Sequence, residues 1–201
     1  MKKLTLIAFV LFIGIITSQA QVQVSPGLRG GLNLARLTNM DENGMKSDFY
    51  VGGLVEIKFN KFFTLQPELT YSRQGSKSEF YLGDDIATRP EVTYEIDYIS
   101  FGAVAKFNFA GKGFHILAGP SLDIKTRDNF SDYDYKRTGA DFSLTGGIGY
   151  TLPNGLTFEA RFKQGLIDIY GYEGLDNDYY YDELVLNQVL QFGISYTFKG
   201  K

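Results

Sequence analysis

Phe49-Tyr50-Val51-Gly52-Gly53-Leu54-Val55-Glu56-Ile57-Lys58-Phe59 is the stretch that decides the fold. Taken with a period of two, Phe49, Val51, Gly53, Val55, Ile57 and Phe59 fall on one face. Tyr50, Gly52, Leu54, Glu56 and Lys58 fall on the other. Successive side chains of an extended strand point to opposite sides, so this is a strand with one apolar, charge-free face and one mixed face. Directly after Asn60-Lys61, residues 63–72 repeat the pattern: Phe63, Leu65, Pro67, Leu69 and Tyr71 oppose Thr64, Gln66, Glu68, Thr70 and Ser72.

Working outward, the same alternation recurs over 28–35, 99–109, 114–125, 141–152, 156–163 and 190–198. Each segment is close to the about 9–11 residues that carry a tilted strand across a bilayer. Asn60-Lys61, Ala110-Gly111-Lys112-Gly113 and Pro153-Asn154-Gly155 are tight turns, with Asn and Gly supplying the required dihedrals. Between them lie longer polar segments at about 37–47, 76–92, 127–138 and 169–184. Short turns on one rim and long loops on the other identify an outer-membrane barrel. The expected fold is therefore all-β, an eight-stranded antiparallel up-and-down transmembrane β-barrel. A soluble sandwich also alternates, but its apolar faces would meet in a core. Closing the sheet satisfies every backbone group without an edge, which the bilayer demands.

One stretch breaks the phase. Tyr94, Ile96 and Tyr98 have the parity opposite to Ile99, Phe101 and Ala103. Either a bulge near Tyr98 resets the strand, or its upper part projects above the membrane. Projection is the better reading, because Glu95 and Asp97 would otherwise point at lipid.

The N-terminus reads as an address. Lys2 and Lys3 precede an apolar run from Leu4 to Ile16, and Ser18 and Ala20 supply small residues for cleavage. Residues 1–20 are expected to be a signal peptide and residues 21–201 the barrel domain. A retained anchor helix would need a run of about 20 apolar residues. No Cys is present, so thiolate metal sites, disulfides and Cys nucleophiles are excluded. There are 17 Phe and 14 Tyr, which suits strands rather than helices. Without residues 1–20 the balance is 18 basic to 23 acidic side chains, unsuited to nucleic acid.

The opening Gly27-Leu28-Arg29-Gly30-Gly31-Leu32-Asn33, the Asp97-Tyr98-Ile99 start of strand four and the ending Leu190-Gln191-Phe192-Gly193-Ile194-Ser195-Tyr196-Thr197-Phe198 carry a resemblance. They resemble the outer-membrane β-barrel proteins of Bacteroidetes known as porin-family or PorT-like. The resemblance spans the mature chain and implies an outer-membrane location and no catalytic residues. Two features depart from that family. Ser100 stands where many members have Pro, and Lys199-Gly200-Lys201 follow the final aromatic.

An eight-stranded barrel has an interior just wide enough for side chains; a diffusion pore needs about 16 strands or more. The inward charges are expected to be Arg29, Lys58, Lys106, Lys125, Arg161 and Lys163 with Glu56, Glu68, Asp123, Asp141 and Glu159. Near balance implies a paired network, since buried charges need partners. The one His, His115, faces inward near the short-turn rim. Ser121 lies six residues away, about 20 Å along a strand, so no hydrolytic triad forms with Asp123. Neither a cofactor nor a metal is expected.

The loops hold Phe130, Tyr133, Tyr135, Tyr172, Tyr179, Tyr180 and Tyr181 among many Asp residues. Tyr gives large contact area at low entropy cost and suits recognition. The Asp spacing from Asp176 misses the calcium-loop pattern. The expected function is non-enzymatic, structural or surface-interacting through these loops. The alternatives are a narrow porin-like channel or a PorT-like component assisting secretion. Expected partners are outer-membrane lipid, lipopolysaccharide and the barrel-assembly machinery, together with an extracellular ligand or secretion components.

Overall fold

The computed structural model describes residues 22–39, 44–79, 91–109, 113–129, 138–169 and 184–198. Eight strands follow one another in the chain: β1 (Gln23–Leu37), β2 (Gly44–Lys58), β3 (Phe63–Glu79), β4 (Glu91–Asn108), β5 (Phe114–Asp128), β6 (Ala140–Thr151), β7 (Leu156–Gly165) and β8 (Asn187–Thr197). Each pairs with its sequence neighbour, and β8 closes onto β1 through a register running from Gly27↔Thr197 to Leu37↔Asn187. All pairs are antiparallel. The meander is thus a closed barrel with no free sheet edge.

Its burial is inside out. Leu28 is 61% exposed, and Leu32, Val51, Leu69, Phe101, Leu144, Phe158 and Phe192 also face outward. Arg29, Glu56, Lys106, Asp123, Glu159, Arg161 and Lys163 are buried. Water would not tolerate such an apolar exterior on a monomer, whereas the hydrocarbon of a bilayer requires it. This distribution settles barrel against sandwich, because a sandwich buries the apolar faces.

Two short connections are resolved in detail. Asn60 Oδ1 accepts hydrogen bonds from the backbone N–H of Phe62 at 2.8 Å and of Phe63 at 2.9 Å, an Asx turn that reverses the chain between β2 and β3. Gly155 adopts φ 94° between β6 and β7, a conformation open to glycine at no steric cost. The third expected turn includes residues 110–112, which lie outside the described residues.

Strands β3 and β4 run further than the alternation indicates. Their ladder continues from Phe63↔Phe107 to Glu79↔Glu91, well past the apolar band. Beyond the membrane the outward face meets water, so the backbone ladder persists while the apolar/polar contrast disappears. A bulge does occur near Tyr98, but its extra residue belongs to β5. Asp97 pairs with Arg127 and Tyr98 with Lys125, leaving Thr126 over, and Thr126 Oγ1 donates to the Asp97 carbonyl at 3.1 Å. Strand β4 keeps its phase: Ile96 and Tyr98 point inward like Ser100 and Lys106. They pack with Leu37, Ile169 and Val185 into an apolar cluster closing the long-loop end.

Candidate functional site: the lumen and its two ends

The alternation of β1–β8 places one long polar side chain after another inside the barrel, and register around the wall decides which of them meet. Nearest the short turns, His115 is fully buried, its Nδ1 3.2 Å from the Gly113 carbonyl. Its Nε2 lies 3.5 Å from Glu159. Lys106 reaches from β4 to Glu56 at 3.1 Å and to Glu159 at 2.9 Å. Arg161 bridges Glu159 at 2.7 Å and Glu68 at 2.8 Å, and Glu68 also pairs with Arg29. The Arg29 guanidinium lies 4.9 Å from the centroid of the Tyr50 ring and donates to its hydroxyl at 3.2 Å. These charges are joined into one chain, so each buried ion has a counter-ion, as desolvation demands.

Further along, Lys163 pairs with Asp123 at 2.6 Å, and Ser143 donates to the same carboxylate at 2.7 Å. Neutral groups come next. Asn33 donates to Ser72 at 2.9 Å, Gln191 donates to Asn33 at 2.9 Å, and Gln74 donates to Ser72 at 2.9 Å. Asn187 bonds to Gln74. The apolar cluster of Leu37, Ile96, Tyr98, Ile169 and Val185 lies at the far end.

Little space remains. A cavity of about 20 Å³, bordered by Arg29, Tyr50, Glu68, Ser100, Arg161 and Lys163, has room for about one water. Tight filling depends on small residues opposite large ones. Gly193 is the clearest case: a Cβ there would collide with the Tyr50 hydroxyl and come within 2.9 Å of its ring carbon Cζ.

Three of the charges expected in the lumen belong neither to this chain of ion pairs nor to the separate Lys163–Asp123 pair. Lys58 occupies the last inward position of β2 and is exposed at the open mouth. Lys125 pairs with Asp128 at 2.7 Å, because the Thr126 bulge brings both residues to the inner side of β5. Asp141 is buried, and its Oδ1 accepts the backbone N–H groups of Leu166 at 3.2 Å and Ile167 at 3.0 Å, fastening the chain where it leaves β7. His115, Ser121 and Asp123 are not brought together, since Asp123 is engaged with Lys163 and Ser143. The loop residues Phe130, Tyr133, Tyr135, Tyr172, Tyr179, Tyr180 and Tyr181 lie outside the described residues.

A second ionic cluster, not anticipated from the sequence, occupies the long-loop end of β2–β5. Arg73 contacts Asp48 at 3.5 Å, Glu95 at 3.2 Å and Asp97 at 3.4 Å. Arg127 contacts Asp97 at 3.3 Å and Glu95 at 3.4 Å, and the Tyr71 hydroxyl donates to Asp97 at 2.9 Å. Glu95 and Asp97 are thereby neutralised where the outer face leaves the apolar band. The uncommon phase of Tyr94, Ile96 and Tyr98 was the available signal that this part of β4 lies in a different medium.

Solved structures similar to this chain include outer-membrane proteins. The crystal structure of Neisserial surface protein A superposes with a TM-score of 0.53 at 12% identity, covering 87% of this chain and 99% of that one. Ail, the attachment invasion locus protein of Yersinia pestis, gives 0.48 at 11% identity, with coverage of 88% and 99%. OprG from Pseudomonas aeruginosa gives 0.47 at 11%, with coverage of 90% and 99%. No curated protein matches the chain. The family model described as outer membrane protein beta-barrel domain matches residues 19–171. An inside-out, closed, eight-stranded barrel and a family match over most of the sequence agree: the chain belongs to the outer-membrane β-barrel domain family and resides in the outer membrane.

Proposed function

We propose that this barrel is a non-enzymatic scaffold that holds recognition loops at the outer surface, exported by a signal peptide cleaved after Ala20. The observation that supports it is the filled lumen. Among the described residues, the ionic chain from His115 to Arg29 and the apolar cluster at Leu37 and Ile96 occupy the lumen, and the cavity beside Arg29 and Glu68 has room for about one water. An interior of that kind offers neither a substrate site nor a solute path, which leaves the outer loops as the working surface. Phe130, Tyr133, Tyr135, Tyr172, Tyr179, Tyr180 and Tyr181 are the proposed contacts, and lipopolysaccharide is the proposed first partner. The motifs that resemble those of Bacteroidetes porin-family and PorT-like barrels are architectural and fit the same reading.

The test replaces residues 128–137 and 170–183 with short Gly-Ser turns. Heat-modifiable gel migration checks that the barrel still folds. Binding of the refolded protein to lipopolysaccharide aggregates should fall at least tenfold. Equal binding by the shortened and intact proteins would refute loop recognition of that partner.

A further inference from the structure

The short-turn rim has a charge character of its own. Residues 57–67, 107–122, 142–158 and 184–201 flank the short turns and the C-terminal end, and none of them is Asp or Glu. The same stretches contain Lys58, Lys61, Lys112, Lys199 and Lys201. Of these, Lys58 and Lys61 are within the described residues and both are exposed, Lys58 toward the lumen mouth and Lys61 in the β2–β3 turn. The nearest acids are turned away. Glu56 and Glu159 are buried and share Lys106. Among the described residues, this rim therefore shows uncompensated positive charge.

Aromatic rings surround the same rim. Ring centroids lie 5.6 Å apart for Phe59 and Phe63, 5.5 Å for Phe63 and Phe107, 5.8 Å for Phe109 and Phe114, all tilted, and 5.3 Å for the edge-on pair Tyr196 and Phe198. Such a girdle sits at the boundary between acyl chains and headgroups. The β2–β3 turn unites the two features. Asn60 fixes its backbone, Phe62 is 52% exposed, and the Lys61 ammonium lies 5.0 Å from the centroid of the Phe62 ring. A cation beside an exposed aromatic ring, at headgroup depth, suits a ligand with a phosphate and an apolar tail. A water-soluble anion would make no use of Phe62.

We propose that the short-turn rim binds net-anionic phospholipid of the inner leaflet, with Lys61 contacting the headgroup phosphate. This concerns the opposite rim from the recognition loops and does not depend on them. An anionic bilayer attracts each nearby lysine by about fivefold in binding. Loss of Lys61 should therefore reduce the preference by roughly fivefold.

The mature protein, folded in detergent, is offered equal amounts of phosphatidylglycerol and phosphatidylcholine, and the retained lipid is counted by native mass spectrometry. The intact protein should retain phosphatidylglycerol in clear excess. The variant Lys61→Gln should lose most of that excess while its heat-modifiable band shift is unchanged. Arg36→Gln, at the other end of β1, should keep it. Equal retention of the two lipids by the intact protein would overturn the proposal. So would a phosphatidylglycerol excess that survives the substitution, since the lipid would then sit elsewhere.

Discussion

Replacing Lys106 by Met should destabilise the folded barrel by about 3–5 kcal/mol, the cost of removing one partner from a buried ion pair. Lys106 is 2% exposed and lies between Glu56 at 3.1 Å and Glu159 at 2.9 Å. Glu159 would keep Arg161 at 2.7 Å. Glu56 would be left without a cation in ion-pair reach among the described residues. A solvated pair would cost only about 0–1 kcal/mol to break, so the two pictures of the lumen give separable results. The double variant Lys106→Met, Glu56→Gln removes the orphaned charge and should recover part of the loss, because the penalty comes chiefly from the unpaired carboxylate. Urea unfolding in lipid vesicles measures both. The chain has no Trp, so circular dichroism and band shift follow the transition. A single-variant loss below about 1 kcal/mol would refute a dry, paired lumen.

Gly193→Ala drives a methyl group into the Tyr50 hydroxyl and should cost about 1–3 kcal/mol by overpacking. The added change Tyr50→Phe should relieve it in part; full stability of Gly193→Ala would contradict the contact. On the lipid face, Leu28→Arg, partway along β1, should cost about 2–4 kcal/mol, whereas Val24→Arg near the rim should cost about 0–1 kcal/mol. Equal costs at the two sites, measured by the same unfolding titration, would contradict the depth assigned to β1.

The alternation made the barrel legible. A segment such as Phe49–Phe59 needs only the period of a strand to show two faces, and eight such segments with short and long connections leave few folds open. The inward parity of Arg29, Glu68, Lys106 and Arg161 was legible for the same reason. Their pairing was not. Glu68 and Arg161 are 93 residues apart, and they meet only because β3 and β7 face each other across a closed lumen whose register no single strand discloses. The upper part of β3 and β4 was also hidden. There Lys77↔Thr93 continues a ladder in water, where outward residues no longer need to be apolar. The Thr126 bulge sits among polar residues and leaves no trace in the alternation, yet it places Lys125 beside Asp128.

Planar-bilayer recording of the refolded, full-length mature protein tests the filled lumen most directly. With the charged chain from His115 to Arg29 intact and the apolar cluster closing the long-loop end, insertion should give no discrete conductance steps. Reproducible unitary openings from protein whose band shift shows it folded would contradict the account, because ions would then pass through the paired charges, where the cavity beside Arg29 and Glu68 has room for about one water.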